Sequence, residues 1–205
     1  MTVIEVFADV SCPFTQAGLH RWFDRRARAG RADVGLRVRA WPLEVVNGAP
    51  LTGEAIADKV AALSTVYPAL FAGFAPSVFP ATTLPALAVT NAAYRVDIAT
   101  GESVATLLRD LLFVDGQDIA DAGILHGIAS DHGVPVPDAS DQRAVLDDLE
   151  AGRRRGVTGS PHYFGSGFDA FCPGLDVSHV GTEFDITANG QKFDEFIDRC
   201  FGTSP

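Results

Sequence analysis

The feature that most limits the fold is a break in periodicity. Residues 3–8 form a short apolar run and residues 34–41 alternate, so both read as strands, with a helix over 12–29 between them. From residue 51 to residue 150 the pattern turns helical, over 52–63, 84–98, 103–113, 119–131 and 141–151, with prolines and glycines between. Strands return at 162–164 and 168–171 around a Gly165-Ser166-Gly167 turn, and a further short strand falls at 183–187. A final helix carries Phe193, Phe196, Ile197, Cys200 and Phe201 on one face. Strand, helix and strand close as a parallel pair through a right-handed crossover, and the later hairpin completes the sheet. The expected organisation is an α/β domain, residues 1–52 with 150–205, interrupted by an all-helical unit at 53–149.

Charge and composition exclude several classes of function. The net charge of −10 argues against general nucleic-acid binding and against an anionic membrane surface. No run of about 18 uncharged apolar residues is present to span a bilayer. The first strand follows the N-terminus without a secretory leader pattern, so a cytoplasmic protein is expected. Three cysteines in that setting do not make a disulfide framework. Cys200 reads as a small buried hydrophobe, and Trp22 and Trp41 as core. His126, His132 and His179 share no ligand spacing with one another or with the cysteines, so no metal site is expected. No phosphate-cradling glycine loop is present.

Cys12 and Cys172 both sit at junctions and both precede a proline. In Ala8-Asp9-Val10-Ser11-Cys12-Pro13-Phe14-Thr15 a strand ends and a helix begins. A helix start gathers unpaired N–H groups and the positive end of the dipole, which favours a thiolate. Pro13 is tolerated in the first turn. Sites in parallel sheets lie at the carboxyl ends of the strands, where Cys12 falls. Asp9 either handles a proton beside it or caps the loop. His162 follows Pro161 and on a strand could face either side. His20 lies eight residues along the helix, about 12 Å away by helical rise, too far to touch Cys12. Tyr67, Phe71, Phe74 and Phe79, among Pro68, Pro76 and Pro80, form either an apolar surface over a cleft or the seal between the two units.

The segment Phe7-Ala8-Asp9-Val10-Ser11-Cys12-Pro13-Phe14-Thr15 resembles the strand-to-helix active-site segment of DsbA-like thioredoxin-fold proteins, whose usual pattern is Cys-Pro, an aromatic and a second Cys. Gly156-Val157-Thr158-Gly159-Ser160-Pro161-His162-Tyr163-Phe164 looks like that family's loop ending in a cis-proline. Phe113-Val114-Asp115-Gly116-Gln117-Asp118-Ile119 is similar to the interhelix linker of its cytoplasmic branch, related to FrnE and the 2-hydroxychromene-2-carboxylate isomerases. The resemblance covers the whole chain in order and implies a thioredoxin-like α/β fold with an inserted all-helical domain.

For activity, the resemblance implies a thiol–disulfide oxidoreductase with Cys12 as nucleophile, forming a mixed disulfide. Pro161 would be the cis-proline, and Pro13, Phe14, Ser160 and Pro161 would meet the substrate. Thr15 stands where the second cysteine is usual, so no local two-cysteine cycle can run. Its hydroxyl would either support the Cys12 thiolate or bond its own helix start. A hairpin turn centred on Ser166 sets 162 opposite 170, 161 opposite 171 and 160 opposite 172. That register brings Cys172 beside the proline loop, as a displaced resolving thiol or as a plain strand-end residue. No tightly bound prosthetic group is implied. A low-molecular-weight thiol, glutathione or mycothiol, is the cofactor the resemblance allows. The partners would be a disulfide-containing protein or a small thiol, and a homodimer is compatible. Two alternatives stand beside this reading: a glutathione- or mycothiol-dependent isomerase or transferase of the same fold, and a non-catalytic thioredoxin-fold binding module.

Overall fold

A computed structural model of the chain describes residues 1–180 and 183–202, without the side chains of 179, 180 and 183–185. Four strands make one mixed sheet in the order β2-β1-β3-β4: β1 (Thr2–Ala8), β2 (Val34–Ala40), β3 (His162–Gly165) and β4 (Phe168–Phe171). β1 and β2 are parallel in a register that runs from Thr2 opposite Val34 to Ala8 opposite Ala40. β3 is antiparallel to both β1 and β4. The crossover between the parallel strands is α1 (Pro13–Arg28).

Alternation along β1 sends its side chains to two different cores. Ile4, Val6 and Ala8 pack with Leu19 and Trp22 of α1 and with Tyr163. Phe193, Phe196, Ile197 and Cys200 of α8 (Gly190–Phe201) close the same cluster. Phe7 points the other way, toward Trp41, Leu149 and Val157. Leu149 belongs to α7 (Ala139–Arg155), which crosses the expected boundary at residue 150 without a break. Its Gly152 lies so close to the sheet side that an added Cβ would stand 2.6 Å from Trp41.

The inserted unit comprises α3 (Gly53–Val66), α4 (Leu84–Val96), α5 (Ile98–Phe113) and α6 (Ala122–Asp131), after a single turn α2 (Leu43–Val46). The helix expected over 84–98 ends early because Asp97 caps α5 instead, its side chain accepting from Thr100 N–H. Asp121 does the same for Ile124, so α6 starts three residues later than its apolar pattern. These helices also solve an edge problem. β2 is the outermost strand on its side of the sheet, and its free N–H groups would otherwise face solvent. Leu36 N–H donates to Glu102 Oε1 at 2.7 Å, Val38 N–H to Tyr94 Oη at 3.0 Å, and Ala40 N–H to Asp148 Oδ2 at 2.9 Å. Tyr94 Oη donates in turn to the Leu36 carbonyl. Side chains of α5, α4 and α7 thus stand where a fifth strand would pair.

The short strand expected at 183–187 is present as β6 (Glu183–Ala188), and it pairs in a separate hairpin with β5 (Leu175–Val180), which the sequence pattern did not reveal. One expectation about the later strands needs correction. The β3–β4 register is shifted by one residue: His162 pairs with Phe171 and Gly165 with Phe168. The loop is Ser166-Gly167 alone, with Gly167 at φ +76°, so Gly165 belongs to the ladder. Pro161, not Ser160, therefore lies opposite Cys172, and Cys172 N–H donates to the Pro161 carbonyl at 2.9 Å. No helix among the described residues is long and apolar enough to cross a membrane.

Candidate active site

Cys12 is the N-cap residue of α1, and its side chain accepts no capping hydrogen bond. Pro13 supplies no N–H at the first helical position, while Thr15 and Gln16 N–H donate to the Cys12 carbonyl. The thiol is buried, and it donates to the Ser160 carbonyl oxygen at 3.1 Å. The Ser160–Pro161 peptide is cis.

Ser160 gathers the site from three directions. Its carbonyl receives the Cys12 thiol. Its hydroxyl oxygen accepts from Asp9 N–H at 3.0 Å and shares a 2.9 Å hydrogen bond with Thr15 Oγ1. Among the described residues the Thr15 hydroxyl thus bonds Ser160, where the alternatives had been the Cys12 sulfur or its own helix start. Thr15 ties α1 to the same residue whose carbonyl receives the Cys12 thiol.

Asp9 organises the loop between strand and helix. One carboxylate oxygen accepts from Ser11 N–H at 2.8 Å and Ser11 Oγ at 2.9 Å. The other accepts from Leu43 N–H at 2.6 Å and Thr83 Oγ1 at 3.2 Å. Burial pushes its carboxyl above the ordinary range, against those donors and the nearby Arg109 charge. Every polar position on Asp9 is taken, which makes it a loop anchor. His162 is equally committed. Its Nδ1 accepts from Thr158 N–H and its Nε2 lies 2.9 Å from Asp169, stacked on Phe164 and away from Cys12. His20 pairs with Asp110 at 2.7 Å. The His179 side chain lies outside the described residues.

Cys172 adopts φ +44°, so the strand alternation ends before it. Its thiol is free and partly buried, and burial, with Cys12 as the next contributor, pushes it up to about 12. The two sulfurs therefore share one electrostatic environment without a bond. Pro13, Ser160 and Pro161 are buried, and Phe14 packs on the helical core. The aromatic cluster stays together: Phe74 stacks on Phe113, and Phe71 meets Phe113 and Phe79 meets Phe74 edge to face. Phe79 also lines a narrow slot beside Asp9 and Ser11, next to Pro50 and Leu51.

Two residues escaped the sequence reading. Phe171 is 54% exposed, yet its ring crosses Gly159 just before the cis bond. Arg109, on α5, is 1% exposed and donates to the Asp9 carbonyl at 3.2 Å. An arginine in the middle of a helical apolar run was the available signal, since a buried charge needs a reason.

No protein-family model and no curated protein matches the sequence. Solved structures do match over nearly the whole chain. A provisionally assigned protein disulfide isomerase from Nitrosomonas europaea has 16% identity and TM-score 0.64, over 98% of this chain and 96% of that one. The fold is the thioredoxin-like fold of DsbA-type proteins. A 2-hydroxychromene-2-carboxylate isomerase aligns at 14% identity and TM-score 0.60, over 82% and 88% of the two chains. A provisionally assigned DsbA oxidoreductase from Streptomyces coelicolor aligns at 16% and 0.59, over 100% and 92%. The helical insertion between β2 and β3 is shared with these structures, which accounts for the extent of the alignment.

Proposed function

We propose that the protein is a thiol–disulfide oxidoreductase that works through Cys12. The observation that carries this reading is the placement of the Cys12 thiol, at the start of α1 and bonded to the carbonyl of Ser160, beside the cis peptide. After losing its proton to solvent, the Cys12 sulfur attacks one sulfur of a disulfide in line with the S–S bond. A Cys12–sulfur bond forms, the substrate bond breaks, and the departing thiolate takes up a proton. The mixed disulfide is then opened by a second thiolate, which releases Cys12.

Thr15 cannot provide that second thiolate. Cys172, held protonated at neutral pH by burial, is a weak nucleophile there. An external low-molecular-weight thiol, glutathione or mycothiol, is therefore the favoured resolving partner, with Cys172 as the slower internal route. Partners of this kind fit a reducing compartment such as the cytoplasm, and all three cysteines are unpaired. One observation favours a second reading. The single-cysteine site, on a fold shared with an isomerase, suits an enzyme that positions the thiol of a bound cofactor for isomerisation or transfer.

Peptide-resolved mass spectrometry after equilibration with oxidised glutathione separates these readings. The oxidoreductase reading expects a glutathione adduct on Cys12, reversed by excess thiol, with Cys172 unmodified. Tight binding of reduced glutathione without any adduct supports the cofactor-thiol enzyme. A Cys12 that stays unmodified until the protein is unfolded, in a protein that also binds no reduced glutathione, sinks both and leaves a binding module.

A further inference from the structure

Arg109 is a buried cation with no ion-pair partner among the described residues. Its Nη1 donates to the Ala105 carbonyl of its own helix at 2.6 Å and its Nη2 to the Asp9 carbonyl at 3.2 Å. Its Nε is buried with no partner. No carboxylate lies within 4 Å of the guanidinium among the described residues. An uncompensated buried charge is strongly destabilising, so such a group persists where an anion nearby offsets it.

The Asp9 carbonyl that takes Nη2 also accepts Cys12 N–H at 3.4 Å, so one oxygen joins the guanidinium to the nucleophile's own backbone. In the resting state the Cys12 thiol gives its hydrogen to the Ser160 carbonyl. Once that proton leaves for solvent, the sulfur faces the same carbonyl as an anion and needs positive potential from elsewhere. The N-terminus of α1 supplies part of it.

We propose that Arg109 is the positioning residue that completes it: a fixed counter-charge, brought by the helical insertion, for the anion that forms on Cys12 during thiol exchange. The role rests on the oxidoreductase reading, and it gives the insertion a part in the chemistry beyond covering the edge of β2. The charged and titratable groups around the pair are Asp9 at the end of β1, Tyr94 on α4, Asp110 on α5 with its partner His20 on α1, Tyr163 on β3, and Cys172 after β4, which also feels the Arg21 charge of α1. Burial pulls the Arg109 guanidinium below its ordinary value, while Asp9, Tyr94, Cys12 and Tyr163 oppose that pull. Asp9 is the competing anion and the strongest opposing influence on Arg109, yet its carboxylate accepts from Ser11, Leu43 and Thr83 and makes no hydrogen bond to the guanidinium.

The test is the pH profile of Cys12 alkylation by iodoacetamide, read peptide by peptide in the full-length protein. In Arg109→Met the Cys12 rate at pH 7 should fall about tenfold and the profile should move to higher pH. Arg109→Lys should restore part of the rate, because a charge is returned without the planar fork. A folded Arg109→Met protein with an unchanged Cys12 profile overturns the proposal. Should Arg109→Met not fold, thermal stability of the wild type and Cys12→Ala is compared from pH 6 to pH 9. A wild-type advantage that grows with pH supports a stabilised anion at Cys12, and a constant difference overturns it. Alkylation needs no disulfide substrate, so loss of the oxidoreductase reading, seen as no mixed disulfide on Cys12, is distinguished from loss of the Arg109 role.

Discussion

The Cys12 thiol and the Ser160 carbonyl oxygen are 3.1 Å apart, which joins the start of α1 to the loop that carries the cis peptide. The contact joins residues 148 positions apart and is buried. Ser160 adds a second tie through its hydroxyl, which accepts the Asp9 N–H. The site is rigid because strand end, helix start and loop meet at a single residue.

Ser160→Ala removes that second tie and leaves the first. The buried Asp9 N–H loses its acceptor, and the expected loss of stability is about 1–3 kcal/mol. Urea denaturation measures it. An unchanged midpoint would show that the hydroxyl contributes nothing to the loop.

Thr15→Val distinguishes support of the sulfur from support of the loop. The hydroxyl bonds Ser160 and not Cys12, so stability should fall by about 1 kcal/mol while the Cys12 alkylation profile stays where it is. A profile that moves to higher pH would mean that the hydroxyl reaches the sulfur after all.

Tyr94→Phe exposes the dependence of the sheet on the insertion. One hydroxyl accepts Val38 N–H and donates to Leu36 C=O, so both groups on the β2 edge lose their partner together. A loss of about 1–3 kcal/mol is expected, with faster hydrogen exchange at Val38 than elsewhere in β2. Uniform exchange along the strand would refute it.

Alkaline pH should weaken the fold through two thiols. Burial pushes both Cys172 and Cys200 up to about 12 from an ordinary 9.0. The folded chain then keeps protons that the unfolded chain releases, so this contribution is fully present below pH 9 and is lost as pH rises from 9 toward 12. Thermal melts at pH 7, 9 and 10.5 should show a steeper decline in the wild type than in Cys200→Ala. Parallel declines would remove Cys200 from the account.

Much of the fold is written in short-range patterns. The alternation of 34–41 predicts β2, and the apolar face from Phe193 to Phe201 predicts α8, because strand and helix periodicities act within a turn or two of chain. Boundaries shifted where a capping side chain chose the start, as at Asp97 and Asp121. The β3–β4 register slipped by one because the two-residue loop at Ser166-Gly167 leaves Gly165 in the ladder. Composition alone reads Gly165-Ser166-Gly167 as a three-residue turn.

The sequence by itself determined the order of the main strands and helices, β5 and the single turn α2 apart, the break at the insertion and the position of Cys12 at a strand-to-helix junction. Each depends on dihedral preference, capping and side-chain period over a few neighbouring residues. Only the tertiary structure decided that Thr15 bonds Ser160, that Cys172 leaves its strand at φ +44°, and that Arg109 reaches the Asp9 carbonyl from another helix. Those relations join residues 100 and 145 positions apart. Local preferences carry no information about which buried donor will meet which acceptor; close packing of the sheet against the insertion does.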